Sequence, residues 1–307
     1  MTTFSENIKH ELCNIPYSKK MLQKILDSYL INRLKINLFQ SKSEWIIDSN
    51  FSFIIHFIAK IFRNIYKIKF TLEYSELNKF NNMRTFRIVI QEKELNKNFN
   101  KSNVFNYAYS KNNISLYEKK SFLVGAFLSG GSISNISKKA SYHLEFRSSN
   151  INYLKFLQEI LFSYKIFPSL IKRKYNSILY LKKGTEISDF LKIIDAKDSL
   201  YYLEDKIISR DLSNQVHRLN NLDMSNISKS TKAGNEQIKI IKEICNTKIY
   251  KKQHKKFKHF CTLRTSNPSA SLNDLVKLFK QKYSINISRS GISHYVNKAK
   301  KIYKSLK

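Results

Sequence analysis

Apolar and polar positions follow the same order twice along the first two thirds of the chain. In each copy, an apolar helix-like run leads into two strand-like segments, an amphipathic stretch with apolar residues near i, i+3, i+4 and i+7, and a hairpin-like strand pair. The stretch "DSNFSFIIHFIAKIF" from Asp48 matches "SSNINYLKFLQEILF" from Ser148, a displacement of 100 residues. The pattern predicts an α+β fold of two αββαββ repeats in one N-terminal domain, because neither sheet could easily bury its face alone.

The same patterns divide the chain into five predicted segments. The first repeat is placed at residues 1–95 and the second at 119–200, joined by an Asn- and Ser-rich linker at 96–118. A helical connector at 201–235 is unusually rich in amide and hydroxyl side chains. It is predicted to lead into an all-α domain at 236–307.

A helix-turn-helix is predicted from Ser271 to Tyr303. Ser271 and Asp274 have the spacing of a capping box, and an apolar stripe at helical spacing follows them. A turn through residues 280–287 and a cap at Ser288 or Ser290 would then begin a second helix, whose apolar side is predicted to be buried as far as Tyr303. Such helix pairs place the start of the second helix in the DNA major groove, whereas the alternative is an ordinary helical hairpin with a solvated basic face.

Polar side chains at the start of that second helix are the candidate DNA-binding residues. Arginine can form two hydrogen bonds with guanine and asparagine two with adenine, so a helix start that exposes both suits base reading. The candidates are Ser288, Arg289, Ser290, Ser293, His294, Asn297 and Lys298. On the connector, phosphate or interdomain contacts are predicted for Arg218, Asn221, Asn226 and Lys229, with a simply solvated connector as the alternative.

The charge of the chain points to a polyanionic partner. The 307 residues include 55 Lys and Arg against 23 Asp and Glu, a formal net charge of +32. Residues 229–307 contain 20 of the basic residues and only three acidic ones. This concentration predicts double-stranded DNA as the partner of the C-terminal quarter. The competing hypothesis is a protein-interaction scaffold, associated with the nucleoid, whose charge merely reflects composition.

The sequence does not support a metal-binding protein, a cofactor-dependent protein or a membrane protein. Cys13, Cys245 and Cys261 form no CxxC pair, and the seven histidines lack metal-site spacing, so we expect no metal, cofactor or disulfide framework. The most apolar window, "FSFIIHFIAKIF", is too short and too interrupted by charge to span a bilayer. A polar N-terminus argues against a signal peptide. We therefore expect a cytoplasmic, nucleoid-associated protein, and the oligomeric state stays open.

The glycine pair near the end of "FLVGAFLSGGS" points to a resemblance to a known protein family. Two αββαββ units that begin with helices ending in small residues resemble the LAGLIDADG homing-endonuclease fold, in which an acid at each helix end holds a divalent metal over DNA. With Gly125 on the first glycine of that motif, Gly130 stands where the acid should be. The same displacement gives Leu30 in the first copy, with Asn32 and Arg33 just beyond. The resemblance thus implies lost nuclease positions and no catalytic residues, since Mg²⁺ requires carboxylate ligands.

A degenerate LAGLIDADG unit joined to a helix-turn-helix resembles the WhiA family of bacterial sporulation and cell-division regulators. The resemblance covers nearly the whole chain, from "TFSENIKHEL" through "FLVGAFLSGGSISN" and "LYYLEDKIISRDLSNQVHRLNN" to "ISRSGISHYVNKAKKI". It implies a non-enzymatic DNA-binding protein of cell division and chromosome segregation, which also regulates transcription in some lineages. Cell-division or chromosome-segregation proteins are the further partners that it implies. The alternative from another class is an active or nicking endonuclease that uses an unrecognised acid.

Overall fold

The computed structural model describes residues 2–39, 42–75, 84–95, 115–134 and 142–306. The chain forms two compact units, Met1–Arg210 and Asp211–Lys307. Most of the predicted linker, residues 96–114, lies outside the described residues. The last three residues of that linker are helical, because Ser115 and Glu118 form a capping box that starts a helix at Leu116.

The first unit contains the predicted αββαββ repeats, preceded by one additional helix. That helix, α1, spans Phe4–Asn14. The first repeat comprises α2 (Lys19–Arg33), β1 (Leu34–Phe39), β2 (Lys42–Ser49), α3 (Ser52–Ile61), β3 (Thr71–Tyr74) and β4 (Phe86–Gln91). The second repeat comprises α4 (Leu116–Gly130), β5 (Gly131–Ile133), β6 (Leu144–Ser148), α5 (Ile151–Ser163), β7 (Ser169–Ile171) and β8 (Ser177–Leu181). The helix α6 (Gly184–Ile193) follows, and the predicted fold class is confirmed.

Each repeat folds into its own antiparallel four-stranded sheet. The strand order is β1-β2-β4-β3 in the first sheet and β5-β6-β8-β7 in the second. Every neighbouring pair is antiparallel, and the predicted hairpins are present as β3 with β4 and β7 with β8. Amphipathic helices α3 and α5 bury the apolar residues that the helical spacing predicted, including Ile54, Ile58, Leu154 and Leu157.

A close helix pair, α2 and α4, joins the two repeats. A Cβ atom placed on Gly125 would lie 2.3 Å from the carbonyl oxygen of Ile25, so only glycine permits this approach. Elsewhere along the pair, the Ser28 hydroxyl donates a hydrogen bond to the carbonyl of Phe122 at 2.7 Å. The two contacts are equivalent in the two repeats. Gly125 on α4 meets Ile25 on α2, and Ser28 on α2 meets Phe122 on α4 in the same way. Gly125 therefore permits the close packing of α4 against α2.

The second unit consists of helices. The long helix α7 spans Lys197–Cys245, and its residues from Asp211 onward belong to this unit. It is followed by α8 (Lys248–Lys251), α9 (Lys255–Ser266), α10 (Leu272–Tyr283) and α11 (Arg289–Lys304). The predicted boundary between residues 235 and 236 thus falls inside one continuous helix. The helix runs through Gly234 without a break. Glycine is required at this position because a Cβ atom there would lie 1.9 Å from the Pro268 carbonyl oxygen, in the loop after α9.

Aromatic and aliphatic side chains from α7, α9, α10 and α11 form the core of the second unit. Phe257, Phe260, Phe279 and Ile292 are fully buried in it. The predicted turn starts later than expected, because α10 continues to Tyr283 and ends at Ser284 in the left-handed conformation. The helix α9 was not predicted, and it completes a three-helix arrangement with α10 and α11.

The predicted end of the helix-turn-helix at Tyr303 needs two corrections. The helix α11 continues one residue further, to Lys304. Tyr303 was placed on the buried side of this helix, but it is only half-buried and packs against the edge of the core. The last turn of α11 reaches the margin of the core, where Lys304 and Ser305 are already exposed, so one side of the tyrosine stays in solvent.

Candidate nucleic-acid interface

The start of α11 is fixed by its own polar residues. Ser288 is the N-cap, and its hydroxyl accepts a hydrogen bond from the Gly291 backbone N–H at 3.2 Å. The hydroxyls of Ser288 and Ser290 lie 2.8 Å apart. Ile292, Val296 and Ala299 face the core of the second unit. The first two turns of α11 therefore have one buried apolar side and one side that presents polar groups.

The seven candidate residues of this helix differ in exposure. Five are exposed: Ser288, Arg289, Ser290, His294 and Asn297. Ser293 and Lys298, which the helical pattern placed in solvent, are half-buried. The Lys298 ammonium lies 5.4 Å from the centre of the Phe257 ring on α9, so its stem covers part of the core edge. The exposed set still offers an arginine and an asparagine on the side turned away from the core.

A buried arginine holds the loop between α9 and α10. Arg264 is 2% exposed, and its Nη1 donates to the carbonyl oxygens of Ala270 at 2.7 Å and Asn267 at 3.3 Å. Burial lowers the pKa of its guanidinium. The hydroxyl of Ser230 on α7 donates to the Ser269 carbonyl in the same loop. This loop precedes α10 directly, so Arg264 helps to set where α10 and then α11 lie.

The four connector candidates all belong to α7. Arg218, Asn221, Asn226 and Lys229 are exposed residues of the second unit. Asn221 and Lys229 lie three and eleven residues after Arg218, close to one and three helical turns. The three residues therefore share one side of the helix. That side can present one guanidinium, one amide and one ammonium to an anionic surface.

A second polar site lies in the first unit, where α2 and α4 end together. We call it the helix-end cleft, an opening of about 440 Å³ whose wall includes Lys9, Asn32, Arg33, Gly130, Glu145 and Arg147. The Asn32 amide donates to the Ser129 hydroxyl at 3.1 Å and to the Arg147 carbonyl at 3.2 Å. The Arg33 Nε donates to the Ser129 carbonyl at 2.6 Å. Side chains of α2 thereby close the end of α4.

The assignment of Leu30 as the counterpart of Gly130 is wrong. Lys19 and Leu116 begin the two helices and Arg33 and Gly130 end them, so equivalent helix positions are 97 residues apart rather than 100. Leu30 is a buried core residue with 1% exposure. The displacement grows to 99 by the ends of β2 and β6, at Ser49 and Ser148. The segment from β1 through β2 (34–49) is two residues shorter than the segment from β5 through β6 (131–148), and this difference displaced the sequence match from the helix register.

Gly130 leaves no room for a side chain. A Cβ atom there would lie 2.5 Å from both the Arg147 carbonyl oxygen and the Asn32 amide nitrogen. The nearby acids are engaged elsewhere. Glu145 pairs with Arg147 at 2.7 Å and with His143 at 3.4 Å, and Asp48 pairs with Lys35. The helix ends thus offer an arginine and a glycine where two metal-binding carboxylates would be needed.

Asp27, the remaining acid of α2, does not reach the cleft. It is 4% exposed and lies 3.7 Å from the Lys24 ammonium on its own helix. Burial raises the pKa of its carboxyl to about 6, and Lys24 opposes this shift. Across the described ranges of the chain, no three His, Cys, Asp or Glu side chains come together as a metal site. Within the same ranges, no helix is long and apolar enough to cross a membrane.

Comparison with known proteins gives matches along the full length. The family model described as the WhiA LAGLIDADG-like domain matches residues 119–213, and the WhiA C-terminal HTH domain matches residues 216–303. The "Probable cell division protein WhiA" of Clostridium tetani is 32% identical over 99% of this chain and 98% of its own. The chain belongs to the WhiA family. The protein of the same name from Mycoplasma pneumoniae is 25% identical over 98% of this chain and 99% of its own.

Solved WhiA structures have the same fold. The crystal structure of full-length DUF199/WhiA from Thermatoga maritima aligns with 99% of both chains, with a TM-score of 0.61 and 21% identity. A structure of the N-terminal LAGLIDADG domain of DUF199/WhiA aligns with 63% of this chain and 91% of its own, with a TM-score of 0.51 and 23% identity. The WhiA architecture of a LAGLIDADG-like domain followed by a helix-turn-helix domain is therefore present here.

Sequence reasoning found the α11 surface but missed two basic residues of the helix-end cleft. Lys9 and Arg147 were not candidates, whereas Asn32 and Arg33 were noticed only as replacements for acids. Lys9 follows the buried Ile8 in an amphipathic helix, where a lysine is ordinarily solvated. No local signal in the sequence distinguishes it from other lysines.

Proposed function

We propose that this WhiA-family chain is a DNA-binding protein of cell division that reads double-stranded DNA with α11. The observation that carries the proposal is the polar side of the first two turns of α11, which presents Arg289, His294 and Asn297 beside a well-packed three-helix core. Two findings support it: the match of residues 216–303 to a helix-turn-helix domain, and relatives named as probable cell division proteins.

In this proposal the residues of α11 divide into two roles. Arg289 and Asn297 read bases, because their side chains can form paired hydrogen bonds with guanine and adenine edges. His294 and Ser293 contact neighbouring base edges, whereas Lys298 approaches the sugar-phosphate backbone from the core edge. Ser288 and Ser290 donate their hydroxyls to a phosphate, at a helix N-terminus whose dipole favours anions.

The connector side of α7 supplies further phosphate contacts. Arg218, Asn221, Asn226 and Lys229 are exposed, and such residues fix the register of a protein on DNA without reading sequence. Their contribution to affinity decreases with salt, because phosphate contacts release counterions. The basic excess of residues 229–307 adds to this sequence-independent term.

We further propose that the chain does not cleave DNA. Hydrolysis by two metals needs carboxylates at the helix ends, and the cleft has Arg33 and Gly130 there instead. Glu145, the carboxylate that the described part of the chain places in the cleft lining, pairs with Arg147. Supercoiled plasmid that stays intact with Mg²⁺ or Mn²⁺ is the expected result, and nicked circles would support the endonuclease alternative.

Chromosome segregation and transcription control are the finer roles that we include in the proposal. Both require the protein to occupy defined chromosomal sites in the nucleoid. Mapping of bound sites across the genome should show discrete peaks that share a sequence motif. Uniform coverage without a motif would favour a nucleoid-associated scaffold, and protein partners from the division machinery would then carry the function.

Fluorescence anisotropy at about 150 mM salt tests DNA reading directly, because non-specific affinity is weak under these conditions. Full-length protein is titrated with a duplex selected from genomic fragments and with a scrambled duplex. We expect Arg289→Ala to lose about 1–3 kcal/mol on the selected duplex and to bind the scrambled duplex almost as before.

Lys300→Ala is the matched control, because Lys300 is an exposed cation of the same helix, about three turns beyond Arg289. It removes the same charge and should change both duplexes equally and slightly. Equal losses on both duplexes for Arg289→Ala would show that Arg289 does not read bases.

A further inference from the structure

The helix-end cleft is lined by more positive than negative charge. Lys9, Arg33 and Arg147 contribute three cations, and Glu145 is the single acid that the described residues place in the lining. These charges come from α1 and α2, which are neighbours in the sequence, and from β6, which lies more than 100 residues later. A concave site with this balance attracts an anion rather than a divalent cation.

Lys9 is the most informative of these residues. It is 7% exposed, and its ammonium lies 5.5 Å and 5.7 Å from the centres of the Phe51 and Phe127 rings. Among the described residues, no ion pair or hydrogen bond of this ammonium is found, and its nitrogen, which lies at the cleft lining, is not one of the fully enclosed atoms without a partner. An ammonium largely shielded from water and without a charged partner is unfavourable, so an anion that enters the cleft would supply the missing charge.

Arg33 and Arg147 keep free donor capacity toward the same space. Arg33 uses its Nε for the Ser129 carbonyl, and its Nη1 lies 4.0 Å from Asp48. Arg147 contacts Glu145 through Nη2, and its side chain remains 62% exposed. A guanidinium has five N–H donors, so each arginine can still offer donors to a second acceptor.

This set of donors matches a tetrahedral oxyanion. Arginine offers a planar fork and lysine a compact charge, and proteins combine the two to bind phosphate. The Asn32 amide has both of its contacts inside the protein, so it positions the cleft wall and does not bind the ligand. We propose that the helix-end cleft binds a phosphate group through Lys9, Arg33 and Arg147.

The phosphate can belong to the DNA backbone or to a small phosphorylated ligand, and the chemistry of the site is the same for both. The DNA version rests on the proposed function, because it makes the first unit a second contact on the duplex. The small-ligand version does not depend on DNA binding. The experiment therefore measures anion binding and DNA binding separately.

Thermal unfolding of the full chain in inorganic phosphate tests the site, with chloride at equal ionic strength as the reference. We expect about 50 mM phosphate to raise the Tm by roughly 2–4 °C, the effect of a ligand with a Kd of about 10 mM on a unit of this size. Arg147→Gln should abolish most of this rise. Arg173→Gln is the matched control, because it removes an exposed arginine from the loop between β7 and β8.

Lys9→Met gives a second readout that a merely structural lysine would not produce. It removes a buried unpaired charge, so the Tm without phosphate should rise, while the additional rise with phosphate should disappear. Phosphate also stabilises proteins in general by exclusion from their surface, an effect that all variants share. Equal phosphate-dependent rises in the wild type, Arg147→Gln, Lys9→Met and Arg173→Gln would overturn the proposal.

Anisotropy with the selected duplex then identifies the source of the phosphate. If DNA supplies it, Arg147→Gln should lower the slope of log affinity against log salt by about 1, which corresponds to one lost phosphate contact. If a small ligand supplies it, the salt slope stays unchanged while the phosphate-dependent Tm rise is lost. A failure of Arg289 to read bases would leave the phosphate result intact, so the two proposals fail separately.

Discussion

The helix-end cleft and the start of α11 both present basic side chains, but they hold their charge in opposite environments. Arg289 on α11 is exposed, whereas Lys9 in the cleft is 7% exposed and packs against two aromatic rings. An exposed cation is hydrated and costs the fold nothing, so it can be placed wherever a partner needs it. A buried cation costs the fold stability, and its retention points to a ligand or to a constraint of the fold.

The two sites are held in place by different packing contacts. The α11 surface depends on a core formed by the end of α7 and the following helices α9 to α11. The cleft depends on the close pairing of α2 and α4, which belong to different repeats. Disruption of that pairing should affect the cleft and leave the α11 surface intact.

Gly125→Val should have the largest effect. Its side chain would collide with the Ile25 carbonyl, 2.3 Å from the Cβ position, and would separate α2 from α4. We expect a loss of about 3 kcal/mol or more in the first unit, because overpacking against backbone cannot relax easily. Calorimetry should show an earlier transition for the first unit and an unchanged one for the second. The exposed Lys155→Ala on α5 is the control and should change the unfolding free energy by less than about 0.5 kcal/mol.

Asn32→Asp should have the next largest effect. The Asn32 amide donates to the Ser129 hydroxyl and to the Arg147 carbonyl, and a carboxylate would present oxygen to both. We expect a loss of about 1–3 kcal/mol in the unfolding free energy of the first unit. Asn152→Asp, an exposed position in the first turn of α5, should be neutral or slightly stabilising. Stabilisation of the Asn32→Asp variant by Mn²⁺ would contradict our view that the cleft cannot hold a metal.

The pH dependence of anion binding tests the role of Lys9. Burial, and to a smaller extent the charge of Arg33, lower the pKa of the Lys9 ammonium from 10.5 to about 8, while Cys13 opposes the shift. Arg33, Arg147 and Glu145 are the other charged side chains among the described residues that line the cleft. Sulfate is the probe, because its charge does not change between about pH 6 and 9. The sulfate-dependent rise in Tm should fall by more than roughly half as pH increases through the pKa of Lys9.

The same titration affects stability without any ligand. Between about pH 8 and pH 10.5, the unfolded chain keeps the Lys9 proton while the folded chain has largely lost it. The free energy of unfolding should therefore gain a contribution as pH increases through this window. Lys9→Met should lack this contribution. Identical pH profiles for the wild type and Lys9→Met would contradict the burial of a charged lysine.

Ser271→Ala should have the smallest effect and should act only on the second unit, which contains α11. The Ser271 hydroxyl accepts from the Asp274 N–H, and the Asp274 carboxylate accepts from the Ser271 N–H, which completes a capping box. Its loss should cost about 1 kcal/mol in the unfolding free energy of the second unit. Denaturant unfolding measures this change, and Ser266→Ala at an exposed position of α9 is the control. A loss of phosphate-dependent stabilisation in this variant would show that the two sites are coupled.

The α11 surface was largely predictable, because helical periodicity assigns each residue to a side of its own helix. Ile292, Val296 and Ala299 are buried as the stripe predicted, and the exposed arginine, histidine and asparagine lie outside it. The half-burial of Lys298 was missed, because α9 was not predicted and Phe257 on α9 covers the Lys298 stem. Local patterns cannot show what a neighbouring element covers, nor where a core ends, which is why the half-exposure of Tyr303 was missed as well.

The cleft was not predictable in the same way. Periodicity paired the two repeats, yet the displacement of 100 residues assigned Leu30 to a position that Arg33 occupies. Lys9 and Arg147 reach the cleft from elements that are far apart in the sequence. Their proximity follows from the α2 and α4 packing at Gly125, which brings both repeats to one point.

The sequence by itself determined the two αββαββ repeats and the helix-turn-helix, because these follow from the order and spacing of apolar residues along the chain. The WhiA relationship came from the resemblance of its ordered motifs to that family. Only the tertiary structure decided that Arg33 and Gly130 end the paired helices, that no side chain fits at Gly130, and that Lys9 is buried without a partner among the described residues. The physical reason is that desolvation and close contact depend on residues brought together from distant segments. A linear pattern specifies the side of an element but not what that side meets.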